Sequence, residues 1–155
     1  MHTAREVHTI RAFAPEIVTG LLRAGYPVRL VVTGRSMHPT IRHGEAVLVA
    51  PVNVQSLRFG DVVLYVRNNR LWAHRVIRRR MVSGVWILVT QGDGACRPDP
   101  PIAASRVVGR VVAVERSGRW HRLDTRGRRY WGLIRYSIRR WRCRLGFCRW
   151  CPHFA

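Results

Sequence analysis

At 155 residues the chain is long enough for one domain with its own core, and with 47% apolar residues it is not a disordered chain. Its formal charge is +20, and all 28 basic residues are arginine, with no lysine anywhere. That balance favours anionic partners (lipid head groups, nucleic acid or acidic peptides) and excludes any mechanism built on a lysine base.

Residues 12–24 predict a short helix, with Pro15 near its first turn, Phe13, Ile17, Leu21 and Leu22 sharing a face, and Gly25 and Pro27 ending it. Strands follow at Val28–Val32 and Ala46–Val49, with a serine-bearing turn between them. Arg58-Phe59-Gly60-Asp61 turns the chain into Val62–Val66, and Asn68-Asn69 makes a hairpin turn into Leu71–Ile77. Val85–Thr90 and Val107–Val114 are the fifth and sixth strands, separated by the proline-rich loop 92–101. Short valine-rich strands with regular turns argue for a mainly β fold, with helix confined to the two ends.

After Glu115 the composition shifts. From Tyr130, the residues Trp131, Ile134, Ile138, Trp141, Leu145 and Cys148 recur at spacings of three and four, one face of a helix, among many arginines. The chain therefore divides into a helical lead-in over residues 1–27, a β domain over 28–115 and a basic Arg/Trp-rich amphipathic tail over 116–155. That tail has the character of a helix lying in an anionic lipid interface.

No uncharged run approaches the ~20 residues a membrane-spanning helix needs. Arg5 and Arg11 precede an apolar stretch that Glu16 interrupts, so the N-terminus does not read as a cleavable signal. The expected location is peripheral at a membrane surface, or cytoplasmic. Three of the four cysteines, Cys143, Cys148 and Cys151, crowd the last thirteen residues, and Cys96 stands apart, so there is no disulfide framework spread through the fold. Cys148-x-x-Cys151-x-His153 has part of a zinc spacing but no obvious fourth ligand.

The turn Gly34-Arg35-Ser36-Met37-His38-Pro39-Thr40 holds a serine two residues after a glycine and three before a proline. Such a turn can present a nucleophile on rigid backbone, and it can equally be a plain strand-to-strand connection. A serine nucleophile needs a base and a group to orient that base. His74 lies within the apolar run Leu71–Ile77, where a polar residue needs a reason to be. An ordinary imidazole, with a pKa of about 6.5, is basic enough at neutral pH without deep burial. His38 and His43 flank the serine on the turn, while His2, His8, His121 and His153 lie outside the β core. Of the eight acids, Asp93 and Asp99 share one loop after the fifth strand. No histidine or further acid lies close to them in sequence, which argues against a metal.

Five blocks in order carry a resemblance: Gly34–Thr40, then Gly60-Asp61-Val62-Val63-Leu64-Tyr65, then His74-Arg75-Val76-Ile77, then Thr90-Gln91-Gly92-Asp93 with Asp99, and last Val108-Gly109-Arg110-Val111. Together they resemble the type I signal peptidase family. The resemblance implies a mostly β catalytic domain with Ser36 as nucleophile. His74 stands where bacterial members have lysine, as in the archaeal and endoplasmic-reticulum branch. Asp99 then supports the histidine, with Asp93 nearby as second support. No cofactor is implied. Gly34 stands where the eukaryotic branch commonly has serine, as in mitochondrial inner-membrane relatives, which shifts oxyanion stabilisation towards the Ser36 amide and other backbone donors. Family members usually carry a membrane anchor, and this chain displays none.

The expected function is a serine endopeptidase that cleaves signal or leader peptides by a Ser-His-Asp mechanism. Its peptide substrate would lie extended beside Val28–Val32 or Leu71–Ile77. The alternative is a catalytically inactive relative acting as a basic membrane- or nucleic-acid-binding module, although no recognised nucleic-acid motif is present. A self-cleaving repressor shares the Gly-x-Ser-Met pattern but relies on lysine, and no DNA-reading helix pair is evident before the β domain. Nothing in the sequence sets the oligomeric state or the cleavage-site preference.

Overall fold

A computed structural model describes residues 8–10 and 15–125, with single positions 127, 134 and 137 beyond them. The expected amphipathic tail helix and the cysteines at 143, 148 and 151 lie outside the described residues. The fold is mainly β. Its strands are β1 (His8–Ile10), β2 (Val28–Val31), β3 (Ala46–Ala50), β4 (Val62–Arg67), β5 (Arg70–Val82), β6 (Val85–Gln91), β7 (Ile102–Ala103), β8 (Val107–Arg116) and β9 (Arg119–Arg122). They form one sheet in the order β1-β2-β3-β8-β4-β5-β6-β7, with β9 on β8. Every pairing is antiparallel except β1 with β2.

The six strands legible in the sequence are present, and β5 runs on to Val82, past the expected end at Ile77. The short strands β1, β7 and β9 add to them. Turns explain the hairpins. Asn68 and Asn69 (φ 50° and 53°), Ser83 and Gly84 (φ 47° and 77°) and Ser117 and Gly118 (φ 50° and 72°) all take left-handed backbone. Two such residues in a row match the right-handed twist of the flanking strands.

The core has two parts, and β4 shows how alternation builds both. Val62 and Leu64 enter a cluster with Val28, Leu30, Val47, Val49 and Val111, while Val63 and Tyr65 enter another with Leu57, Val76, Leu88 and Ile102. The helix α1 (Pro15–Arg23) packs Val18 and Leu22 on the first cluster. Ile17, expected on the buried face, is 58% exposed. Val18 and Leu22, four residues apart, instead set the buried stripe. Gly109 lets them approach: a Cβ there would lie 2.6 Å from Val49 and 3.2 Å from Leu22. None of the described helices is long and apolar enough to cross a membrane.

Candidate active site

Met37 and Ile41 are buried in the first core cluster, while Ser36 between β2 and β3 is exposed. The two apolar side chains nail the turn to the domain and leave the hydroxyl outside. Within the turn, His38 N–H donates to the Arg35 carbonyl at 3.0 Å and Ile41 N–H to that of Met37 at 3.0 Å. These bonds leave the Ser36 amide outside the turn's own hydrogen bonding.

His74 sits on β5 opposite Val63 and is 3% exposed. Tyr65 and Trp72 hold its ring edge-on, with centroids 6.2 Å and 5.7 Å away. Its Nε2 lies 2.9 Å from Ser36 Oγ, and its Nδ1 lies 2.6 Å from Asp99 Oδ2. Asp99 Oδ2 also accepts from Thr90 Oγ1 at 2.7 Å and from the Tyr65 hydroxyl at 3.4 Å. Burial pushes the Asp99 carboxyl up, but the His74 hydrogen bond and charge, with the Thr90 and Tyr65 hydroxyls, outweigh it and hold the group below its ordinary value. A carboxylate only accepts, so Nδ1 must donate to it. That fixes Nε2 as the acceptor facing the Ser36 hydroxyl.

Asp93 commits both oxygens to Arg75, which donates from Nε at 2.7 Å and from Nη2 at 2.6 Å. Nη1 of the same guanidinium donates to the Gly60 carbonyl at 2.7 Å. The second aspartate therefore anchors its loop to the residue after His74. The loop also grips the serine turn: Asp93 N–H meets Met37 Sδ at 3.5 Å and Gly94 N–H donates to the Ser36 carbonyl at 2.6 Å. His43 turns to the Thr33 carbonyl, and His38 is exposed.

Tyr65, Arg75 and Thr90 had no assigned role in the sequence reading. Arg75 carried a usable signal, because a charge inside a buried strand demands a carboxylate. Thr90 and Tyr65 carried none, since their partner Asp99 comes from a loop whose path sequence does not fix.

A cleft of about 490 Å³ opens beside Ser36. One wall is the end of β2 running into the turn, with Leu30, Val32, Thr33 and Gly34; the other is the start of β5, with Arg70, Leu71, Trp72 and Ala73. Among the described residues, 70–74 of β5 pair only with β4, because β6 joins from Arg75 onward, so their other edge borders the cleft. Among the described residues, no group of three or more His, Cys, Asp or Glu side chains is arranged to hold a metal ion. The arrangement is suited to removing a proton from a serine hydroxyl beside an extended peptide.

The model of the family described as Peptidase S24-like matches residues 12–112, a span that contains the serine turn, His74 and both aspartates. No curated protein matches the chain.

Proposed function

The chain belongs to the Peptidase S24-like family, and from that premise we propose that it is a serine endopeptidase acting on signal or leader peptides. Ser36 Oγ attacks the scissile carbonyl carbon while its proton passes to His74 Nε2. Asp99 stabilises the imidazolium and keeps Nδ1 protonated. The tetrahedral intermediate collapses as His74 returns that proton to the leaving amine, and water then releases the acyl group by the same route. The Ser36 amide is the proposed oxyanion donor.

The observation that carries this reading is the continuous path from Ser36 Oγ through His74 to Asp99, at 2.9 Å and 2.6 Å. The signal-peptidase character is the finer part, and it rests on the order of the five sequence blocks. Members of the family include autocleaving repressors. An open cleft beside Ser36, and a histidine where those rely on lysine, favour cleavage of a separate peptide here. The basic tail is proposed to hold the enzyme at anionic membranes.

An acyl-directed phosphonate probe tests the chemistry. Wild-type protein should be labelled at Ser36, Ser36→Ala not at all, and His74→Ala at a small fraction of the wild-type rate. An unlabelled wild-type protein would put the inactive binding module ahead of the peptidase.

A further inference from the structure

We propose that the tip of the β5–β6 hairpin is a membrane-docking element that inserts into an anionic bilayer. Beyond the catalytic half of β5, residues 78–82 pair, among the described residues, only with β6, and β7 pairs with β6 at Ile87 and Leu88. Among the described residues, no strand pairs with the last rungs, Met81 with Trp86 and Val82 with Val85. Met81 is 56% exposed, Val82 43% and Val85 50%. The Ser83-Gly84 turn is a tight one with both residues left-handed, so these three apolar side chains sit at the end of a two-residue hairpin, Met81 on one face and Val82 with Val85 on the other.

Directly behind them, Arg78 and Arg80 are exposed, and neither makes an ion pair among the described residues. Arg79 is fixed: its guanidinium lies 4.1 Å over the Trp86 ring and donates to the Leu57 carbonyl. Trp86, on the rung next to the outermost one, packs against the second core cluster. An apolar tip with a collar of arginines one step behind matches the depth profile of a lipid interface. Hydrocarbon takes the tip, and anionic head groups take the collar, whose long stems can reach up to them. The chain's net charge of +20 complements such a surface. Nucleic acid would satisfy the arginines but offers no hydrocarbon phase for Met81, Val82 and Val85.

The experiment uses the full chain with vesicles of phosphatidylglycerol and phosphatidylcholine, read by co-flotation and by hydrogen exchange of the hairpin amides. We expect slowed exchange across residues 81–86 on these vesicles, and little on a DNA duplex at matched phosphate. The exchange measurement needs no variant. Met81→Thr/Val82→Thr/Val85→Thr keeps strand-compatible side chains. At about 0.5 M salt, where charge attraction is screened, it should partition at least about ten-fold less than wild type. Val85→Thr alone should lower partitioning by about three-fold and guards against a triple variant that fails to fold. Arg78→Gln/Arg80→Gln should weaken binding at low salt only. Unchanged partitioning of the threonine variants would overturn the proposal. So would a chain that floats with its tip amides unprotected, or equal tip protection by DNA. None of these outcomes depends on cleavage, so they stand apart from the test of the catalytic reading.

Discussion

Gly94 donates its amide hydrogen to the carbonyl of Ser36 across 2.6 Å, which makes the loop after β6 a clamp on the serine's own backbone. Gly92 lies closer still, since a Cβ built on it would come 2.5 Å from that carbonyl oxygen. Backbone cannot move aside as a flexible side chain can. Gly92→Ala should therefore displace the serine turn, lower kcat/KM at least about 100-fold and cost about 1–3 kcal/mol of stability. Gly94→Ala, where the approach is 2.9 Å, should do less. Kinetics and thermal unfolding of the two variants check this order.

The two aspartates should separate cleanly. Asp93→Asn leaves the Arg75 guanidinium, 3% exposed, without its carboxylate, and should cost about 3–5 kcal/mol of unfolding free energy. Asp99→Asn removes the partner that fixes the imidazole tautomer. It should lower kcat by about 10² to 10⁴ while disturbing stability far less. Denaturant unfolding beside steady-state kinetics distinguishes them, and the reverse pattern would exchange their roles.

Ser36 and His74 should behave as one unit. His74→Ala should cost nearly as much activity as Ser36→Ala, and the double variant little more. Near-normal cleavage by His74→Ala, on a peptide that Ser36→Ala leaves intact, would return attention to His38 and His43.

Stability should depend on pH at both extremes. The folded state holds Asp99 below its ordinary value of 3.8, with the His74 hydrogen bond and charge and the Thr90 and Tyr65 hydroxyls overriding the upward push of burial. The stabilisation is thus full above the unfolded value of about 4 and is lost as pH falls through the lower folded value. Glu45, held low by Arg116, and Asp124, held low by Arg122, act in the same sense, so Asp99→Asn should shrink the acid loss without removing it. Tyr65 is pushed up to about 12 by burial and by the Asp99 charge, against the Thr90 hydrogen bond. A phenol kept protonated in the folded state contributes stability below the unfolded value of about 10, lost as pH climbs to about 12. Tyr65→Phe should flatten that alkaline fall. Denaturant titrations across pH measure both limbs.

Gly34 lines the cleft two residues before the nucleophile, and an added Cβ there meets nothing within 4 Å. Gly34→Ser should fit without strain and bring a hydroxyl towards the developing oxyanion, raising kcat by about two- to ten-fold. An unchanged or reduced kcat would mean that backbone donors already suffice.

The sequence was most legible where local chemistry and long-range packing agree. Val62–Val66 and Val107–Val114 read as strands because they are buried on both faces of the sheet, and Asn68-Asn69 read as a turn because both residues tolerate left-handed backbone. Ser36 and His74 are named from the turn and the apolar run that hold them, and Asp99 through the order of the blocks; the fold brings the three, far apart in the chain, into hydrogen-bonding contact. Less was legible at Ile102–Ala103 and Arg119–Arg122, where two to four residues without strong alternation are made strands only by a neighbour's edge. Arg78–Val82 was missed for a different reason. The register shift between Val76 and Arg78 re-aims the strand, and three arginines in a row conceal its continuation. The pairing of Asp93 with Arg75 depends on how the loop folds back, which spacing does not encode.

One strand carries both the catalytic imidazole and the hairpin that reaches away from it. From residue 74 to residue 82 are eight steps of about 3.3 Å, so β5 is a gauge of at most about 26 Å. With the tip seated in lipid and β5 upright on it, a polypeptide leaving the head groups would run up to about eight extended residues before it drew level with Ser36. Chains with a much shorter stalk would then fall short of the serine whatever their side chains. The enzyme would then choose its substrates first by reach.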